Sequence, residues 1–230
     1  MGHGRLTPEE RERVNAFQRE AYRRDAERFD RSMGFGERFL FGSEHRGWVC
    51  SHARGRTLEV AVGTGLNIPL YDADVELTGL DLSSEMLERA RRRAALLGRT
   101  IDLREGDAQA LPFADATFDS VVCTYSLCSV PDEIQTIAEM RRVLRPGGVL
   151  ALVDHIRSSV PPVLWLQRLL ELSPKRIERE LTRRPLLDVR AAGFEVLRSD
   201  RSRLGMVERL VARRPLHHPA TRSVASGASQ

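Results

Sequence analysis

The sequence predicts an α/β fold: a seven-stranded, mostly parallel sheet with helices on both faces and an antiparallel last strand, preceded by an N-terminal helical cap. Three observations predict it. Short apolar, β-branched runs alternate with helix-length stretches from Thr57 onward, the pattern of a parallel sheet covered on both faces. The last two runs, Phe194–Leu197 and Met206–Val211, are joined by a short connection, which suits an antiparallel pair at one edge. A chain of 230 residues has room for one full core plus a small appendage. It divides into a helical cap over 1–50, the sheet domain over 51–214 and a tail over 215–230. The tail is rich in His, Ser and Ala with no apolar period, and reads as disordered.

The cap opens with a helix from Thr7 to about Arg31. Thr7 is its N-cap, Pro8 takes the first helical position and Glu10 completes a capping box. Val14, Phe17, Ala21, Tyr22 and Phe29 recur at helical spacing as one narrow apolar face, while the other faces alternate Arg with Glu or Asp. Residues 32–48, with Phe35, Phe39 and Phe41, are rich in Gly and Phe and read as a segment that closes over a neighbour. The sheet domain starts with Thr57–Val62, which runs into Gly63-Thr64-Gly65, and Val75–Leu80, which ends in Asp81. Ser83 or Ser84 caps a helix through Met86, Leu87, Ala90, Ala94 and Leu97 that stops at Gly98. Ile101–Leu103 and Phe118–Thr124 are the third and fourth strands. A helix from about Asp132 to Leu144 closes at Pro146-Gly147-Gly148, and Val149–Val153 is the fifth strand. One helix over Pro162–Leu172 and another before Gly193 lead to the final pair. In the first of these, Trp165, Leu166, Leu169 and Leu170 read as helix core, with another apolar wall as the alternative.

Composition excludes several classes. At 41% hydrophobic and 30% charged, the chain is too apolar for wholesale disorder. A net charge of +4 made of many mixed charges reads as a solvated surface, whereas nucleic-acid binding calls for one clustered basic face. Cys50, Cys123 and Cys128 are too few for a disulfide framework, and no pair has the close spacing of a zinc site. Cys123 and Cys128 therefore read as small core residues, and no metal is expected. No basic start followed by an apolar run is present, and no apolar stretch is long enough to span a bilayer. The expectation is a reducing, cytoplasmic environment.

The chemistry concentrates at strand ends, where open parallel sheets bind ligands. Glycines at 63 and 65 let the backbone turn tightly and approach a ligand; alone, they would equally serve a structural turn. Asp81, at the end of the next strand, can accept hydrogen bonds from both hydroxyls of a ribose. Its plain alternative is a turn or N-cap aspartate. Gly106-Asp107-Ala108 follows the third strand, and Asp107 could accept from an adenine amino group. The three elements arrive in the order of a nucleoside pocket built on successive strands, and together they are far more specific than any one of them.

On these residues the chain resembles the class I methyltransferases, Rossmann-like enzymes that use S-adenosylmethionine (SAM), across about Leu58 to Val211. The matching pieces are Leu58 to Asn67, Gly79-Leu80-Asp81-Leu82-Ser83 with Met86-Leu87, Gly106-Asp107-Ala108 before Leu111-Pro112-Phe113, Phe118 to Val122, and Val143-Leu144-Arg145-Pro146-Gly147-Gly148. The resemblance implies that Glu59, Gly63 and Gly65 surround the methionine part of SAM, with Thr64 and Asn67 also among the cofactor-binding residues. It implies that Asp81 holds the ribose with Leu82 and Met86 near the adenine, that Asp107 and Ala108 meet the adenine, and that Thr124 and Tyr125 border the methyl donor. Ala61 stands where many members have glycine, and Asn67 where a third glycine is common. The stretch Val121 to Pro131 with Asp154-His155-Ile156-Arg157 is similar to a narrower group of bacterial phospholipid N-methyltransferases and methyltransferase-like thiol methyltransferases.

The sulfonium of SAM already activates its methyl group, so such a protein mainly aligns the acceptor and excludes water. His155 is the best candidate base, since it follows the fifth strand and could titrate near neutrality; an orienting or packed histidine is the equal alternative. Tyr125 could shape the acceptor pocket or be structural. The first helix could cap the site with Tyr22, Phe29 and Phe35, or lie on an anionic membrane; its interleaved acids favour the cap. A small, partly apolar acceptor is expected, with no nucleic-acid partner, because no Asn-Pro-Pro-aromatic run follows the fourth strand. A non-catalytic nucleoside binder shares these residues. A nicotinamide-dependent oxidoreductase shares the glycine turn, but the third glycine of its fingerprint falls on Ile68.

Overall fold

The structure is a computed structural model that describes residues 7–36, 42, 44–171 and 183–216. Its elements run α1 (Pro8–Gly36), α2 (Glu44–Cys50), β1 (Arg56–Val60), β2 (Glu76–Asp81), α3 (Ser84–Leu96), β3 (Asp102–Glu105), β4 (Phe118–Thr124), α4 (Glu133–Val143), β5 (Leu144–His155), α5 (Pro161–Glu171), α6 (Pro185–Ala191), β6 (Glu195–Ser202) and β7 (Val207–Arg213). The expected tail falls outside the described residues from 217 on, as does the expected end of the fifth-strand helix at Leu172.

Local chemistry sets the boundaries. The Thr7 backbone N–H donates to Glu10 Oε2 at 2.8 Å and the Glu10 N–H to Thr7 Oγ1 at 3.2 Å, the reciprocal capping box that starts α1. Ser83 Oγ accepts from the Met86 N–H at the start of α3, and Asp132 Oδ1 from the Gln135 N–H at the start of α4. α3 stops where Gly98 takes a φ of 63°, with the Arg99 N–H bonded to Ala94 O and the Gly98 N–H to Ala95 O. This paired closure of the last turn depends on a left-handed residue, which glycine adopts without steric cost.

Strand order is β3-β2-β1-β4-β5-β7-β6. β1 to β5 pair in parallel, and β7 runs antiparallel to both β5 and β6. The final hairpin is thus inserted so that β7, not β6, meets β5. Period-two alternation divides the core. Leu150, Leu152, Leu210 and Ala212 point into the layer holding Ile137, Met140 and Val189 of α4 and α6. Ala151, Val153, Val207 and Val211 point into the layer holding Val49 of α2 with Ala90 and Ala94 of α3. Both faces are therefore apolar and covered.

α5 corrects one expectation. Trp165 is 68% exposed, and Leu166 and Leu169 are about half exposed, so they do not form helix core; the Leu170 side chain lies outside the described residues. The buried position is Gln167, whose Oε1 accepts from the Ser158 N–H at 2.8 Å and whose Nε2 donates to Ile156 O at 2.9 Å. Satisfying those buried backbone groups turns the polar side of α5 inward and the apolar side out.

The parallel strands leave the sheet under strain. Ala61, just after β1, has a φ of 55°, and Tyr125, just after β4, a φ of 54°. Both are left-handed positions that cost a side-chain-bearing residue energy, and such strain gathers at functional sites. Gly65 has a φ of 78°, and a Cβ there would stand 2.4 Å from Ile68 Cδ1 and 3.3 Å from Ala90 Cα. Two outcomes follow for urea unfolding. Ala61→Gly raises stability by about 0.5–1 kcal/mol, the relief of strain exceeding the added chain entropy. Gly65→Ala lowers it by roughly 2 kcal/mol or more, because the clash adds to the backbone cost.

Candidate active site

The carboxyl ends of β1, β2, β3 and β4 open into one cleft of about 730 Å³, mouth included. Asp81 is its organising residue. Its Oδ2 accepts from the Gly63 N–H at 2.8 Å and its Oδ1 from the Ser83 N–H at 3.0 Å, while its backbone oxygen accepts from the Gly106 N–H at 2.9 Å. One residue thus joins the glycine turn, the start of α3 and the turn after β3. Burial pushes its carboxyl up to about 6, against the opposing pull of those N–H donors.

Of the residues expected at the site, Gly63, Asp81, Leu82, Met86, Asp107, Ala108 and Tyr125 line the main cleft. Thr64 and Thr124 line an adjoining recess that shares Met33, Ala61, Gly63, Tyr125 and Ser126 with it. Asp107 is already engaged: Oδ2 accepts from Asn15 Nδ2 of α1 at 2.8 Å, and Oδ1 from the Gln109 N–H at 2.8 Å. Gly65 sits in the turn and allows its close packing on α3.

Glu59 and Asn67 lie one layer behind the lining, 1% and 0% exposed. Glu59 accepts from Asn67 Nδ2 at 2.7 Å and from Tyr71 Oη at 2.9 Å. Asn67 Nδ2 also donates to Thr124 Oγ1 at 3.0 Å. Arg46 of α2 closes the network, donating to Asn67 Oδ1 at 3.0 Å and to Thr124 Oγ1 at 2.8 Å, with its guanidinium 5.0 Å from the Tyr125 ring centroid. Arg46 also lines the recess. Sequence reasoning missed both Arg46 and the helix that carries it.

His155 is 5% exposed and does not line the cleft; its ring lies 4.9 Å from that of Tyr125, tilted by 34°. Three parts of α1 meet the site. Asn15, Tyr22 and Met33 line the cleft; the side chains of Phe29 and Phe35 lie outside the described residues. Gln18 Nε2 donates to Ser129 O, and Asp30 accepts from Thr64 Oγ1 and from Arg93. α1 is therefore pinned on both sides of the opening.

Burial raises the Glu59 carboxyl to about 7. A folded-state value above the unfolded one means that Glu59 favours folding while protonated and that this contribution is lost as pH rises through 7. In urea unfolding, the cost of Glu59→Gln shrinks between about pH 5 and about pH 8 by on the order of 2 kcal/mol.

A family model for a methyltransferase domain matches residues 58–152, the segment that builds the turn, Asp81, Asp107 and the floor at Tyr125. The phosphatidylethanolamine N-methyltransferase of Cereibacter sphaeroides is 42% identical over 118 residues, 50% of this chain and 58% of that protein. The demethylmenaquinone methyltransferase of Deinococcus radiodurans is 39% identical over 119 residues, 47% of this chain and 49% of that protein. The chain thus spans between about half and three fifths of these curated relatives. A SAM-dependent methyltransferase of Thermotoga maritima superposes with a TM-score of 0.66 at 25% identity, over 84% of this chain and 98% of that one. The [4+2]-cyclase SpnF shares the fold, with a TM-score of 0.63 at 21% identity over 75% of this chain and 81% of that one. The segment from Leu58 to Leu152 matches a methyltransferase domain, and the sheet around it has the Rossmann-like fold of SAM-dependent methyltransferases.

Proposed function

We propose that the chain transfers the methyl group of SAM to a small, partly apolar acceptor, in a reducing, cytoplasmic setting. The observation that carries this reading is the pairing of Asp81 in the cleft with Arg46 in the adjoining recess, Tyr125 lining both. The residues fit SAM: a carboxylate for two hydroxyls, apolar walls at Leu82, Met86 and Ala108 for a base, and a guanidinium for an amino-acid carboxylate. When bound, SAM supplies a methyl group already activated by positive sulfur.

In this reading Asp81 fixes the ribose, and Asp107 exchanges Asn15 for the adenine amino group. Gly63 and Thr64 lie along the methionine part, while Arg46 grips its carboxylate. Glu59, Asn67 and Thr124 hold Arg46 in place rather than touching the cofactor. Tyr125 and Ser126 face the transferred methyl. Their task is alignment and exclusion of water, which needs no strong base. His155 acts by positioning Tyr125. The first helix is a cap, a role supported by its hydrogen bonds to Asp107 and Ser129 on one side and to Thr64 and Arg93 on the other.

The names of the two relatives supply a phospholipid amine and a quinone precursor as acceptors to try first. Both are amphiphiles, and the outward apolar face of α5 is consistent with that class. The cytoplasmic setting is supported by three buried free cysteines; among the described residues, no helix is long and apolar enough to cross a membrane.

The test is label transfer from methyl-tritiated SAM to vesicles containing phosphatidylethanolamine, to a demethylated quinone, and to simple thiols and amines. Turnover with one of these is expected; binding of SAM with no transfer to any partly apolar acceptor contradicts the catalytic reading. Arg46→Lys keeps the charge but loses the two-pronged fork, and raises the dissociation constant for S-adenosylhomocysteine about tenfold. A chain beginning after Met33 loses the cap and binds S-adenosylhomocysteine about tenfold more weakly. Equal affinity in that shortened chain removes the cap from the account.

A further inference from the structure

The fold assembles a group of side chains that the cofactor site does not use. Cys128 follows β4, while Asp154 and His155 end β5, yet a thiol sulfur, a carboxylate oxygen and a ring nitrogen from these residues all lie within 4.8 Å of one another. His155 Nδ1 is 3.9 Å from Cys128 Sγ and 3.8 Å from Asp154 Oδ1. The three residues are 1%, 2% and 5% exposed for Cys128, Asp154 and His155.

We propose that Cys128, Asp154 and His155 form a binding site for a divalent metal ion of borderline softness, zinc by preference. A thiolate, an imidazole and a carboxylate are the donor types that such an ion selects. Tetrahedral zinc with bonds of about 2.0–2.3 Å sets its donor atoms roughly 3.3–3.8 Å apart. The observed separations therefore need inward shifts of only a few tenths of an ångström for the two closest pairs.

The group is also oriented in advance. Asp154 Oδ2 accepts from the Cys128 N–H at 3.2 Å and Oδ1 from the His155 N–H at 2.7 Å, so one carboxylate ties the backbones that carry the other two donors. Ser129 Oγ, 3.8 Å from Cys128 Sγ, or a water can complete four-coordination. Binding replaces the thiol proton of Cys128 with the metal and releases that proton to solvent. Because His155 stacks on Tyr125, the ion clasps the segment after β4 to the end of β5 directly behind the cleft wall. The role is structural: neither Cys128 nor His155 lines the cleft.

The test is a titration of the full chain, stripped with a chelator and kept reduced without added thiols, with cobalt(II). Expected are one ion per chain with a thiolate-to-cobalt charge-transfer band and the visible bands of a tetrahedral ion, all erased by an equivalent of zinc. Cys128→Ser abolishes the charge-transfer band, His155→Asn weakens cobalt binding about tenfold or more, and Cys50→Ser retains both. Ions taken up at His217 and His218 of the tail give no thiolate band. Absence of that band in wild-type protein that still binds S-adenosylhomocysteine overturns the metal site and leaves the proposed function standing. A band that survives Cys128→Ser also overturns it. The wild-type spectrum decides the matter even where a variant fails to fold. Conversely, a cobalt band in protein that binds no S-adenosylhomocysteine overturns the methyltransferase reading alone.

Discussion

The structure depends on the buried carboxylate of Asp81. Three successive strand ends must converge for a cleft to exist, and each ends in a turn with backbone N–H groups to satisfy. Asp81 accepts from two of those turns through its side chain and from a third through its backbone. Burying a carboxylate is costly unless it is hydrogen-bonded. Here the bonds that offset the burial are the ones that shape the cleft, so the scaffold and the cleft wall share one group. Each carboxylate oxygen takes one backbone donor, and the carboxylate itself borders the cleft.

A second polar layer lies behind the first. Glu59 occupies a strand position between Leu58 and Val60, whose side chains join the opposite core layer. It therefore faces the side of α2, where Asn67 and Tyr71 donate to it and Arg46 of α2 in turn donates to Asn67 and Thr124. Such a network is worthwhile only when every member is satisfied. Its effect is to hold a guanidinium rigidly against Tyr125, a residue that is itself in a left-handed conformation. The floor of the cleft is thus fixed by buried charge on one side and by backbone strain on the other.

Most of this was legible in the sequence where one residue decides one local outcome. The box at Thr7 and Glu10, the caps at Ser83 and Asp132, the stop at Gly98, the limits of β4 and the antiparallel hairpin all follow from local chemistry. Illegible features were those set by distant partners. α2 buries His45, Arg46, Val49 and Cys50, a face too polar for hydrophobic periodicity to reveal. α5 reads as core by composition, but the backbone groups of Ile156 and Ser158 require Gln167 inside, so its leucines face out. Asp81, Asp107 and Gly63 could be placed at the cleft because their location follows from strand-end position. Arg46 could not, since nothing local marks one arginine among many. The Cys128, Asp154 and His155 group escaped for the same reason: metal-site spacing rules read neighbours in sequence, and 26 residues separate the thiol from the carboxylate.

Whether the cleft around Asp81 takes SAM is decided by calorimetric titration of the wild-type chain and of Asp81→Ala with S-adenosylhomocysteine, with NADH as control. Saturable binding of one S-adenosylhomocysteine per chain is expected, weakened by at least about tenfold in the variant, with no NADH signal. A folded wild-type protein that binds NADH instead, or binds neither, contradicts the SAM reading.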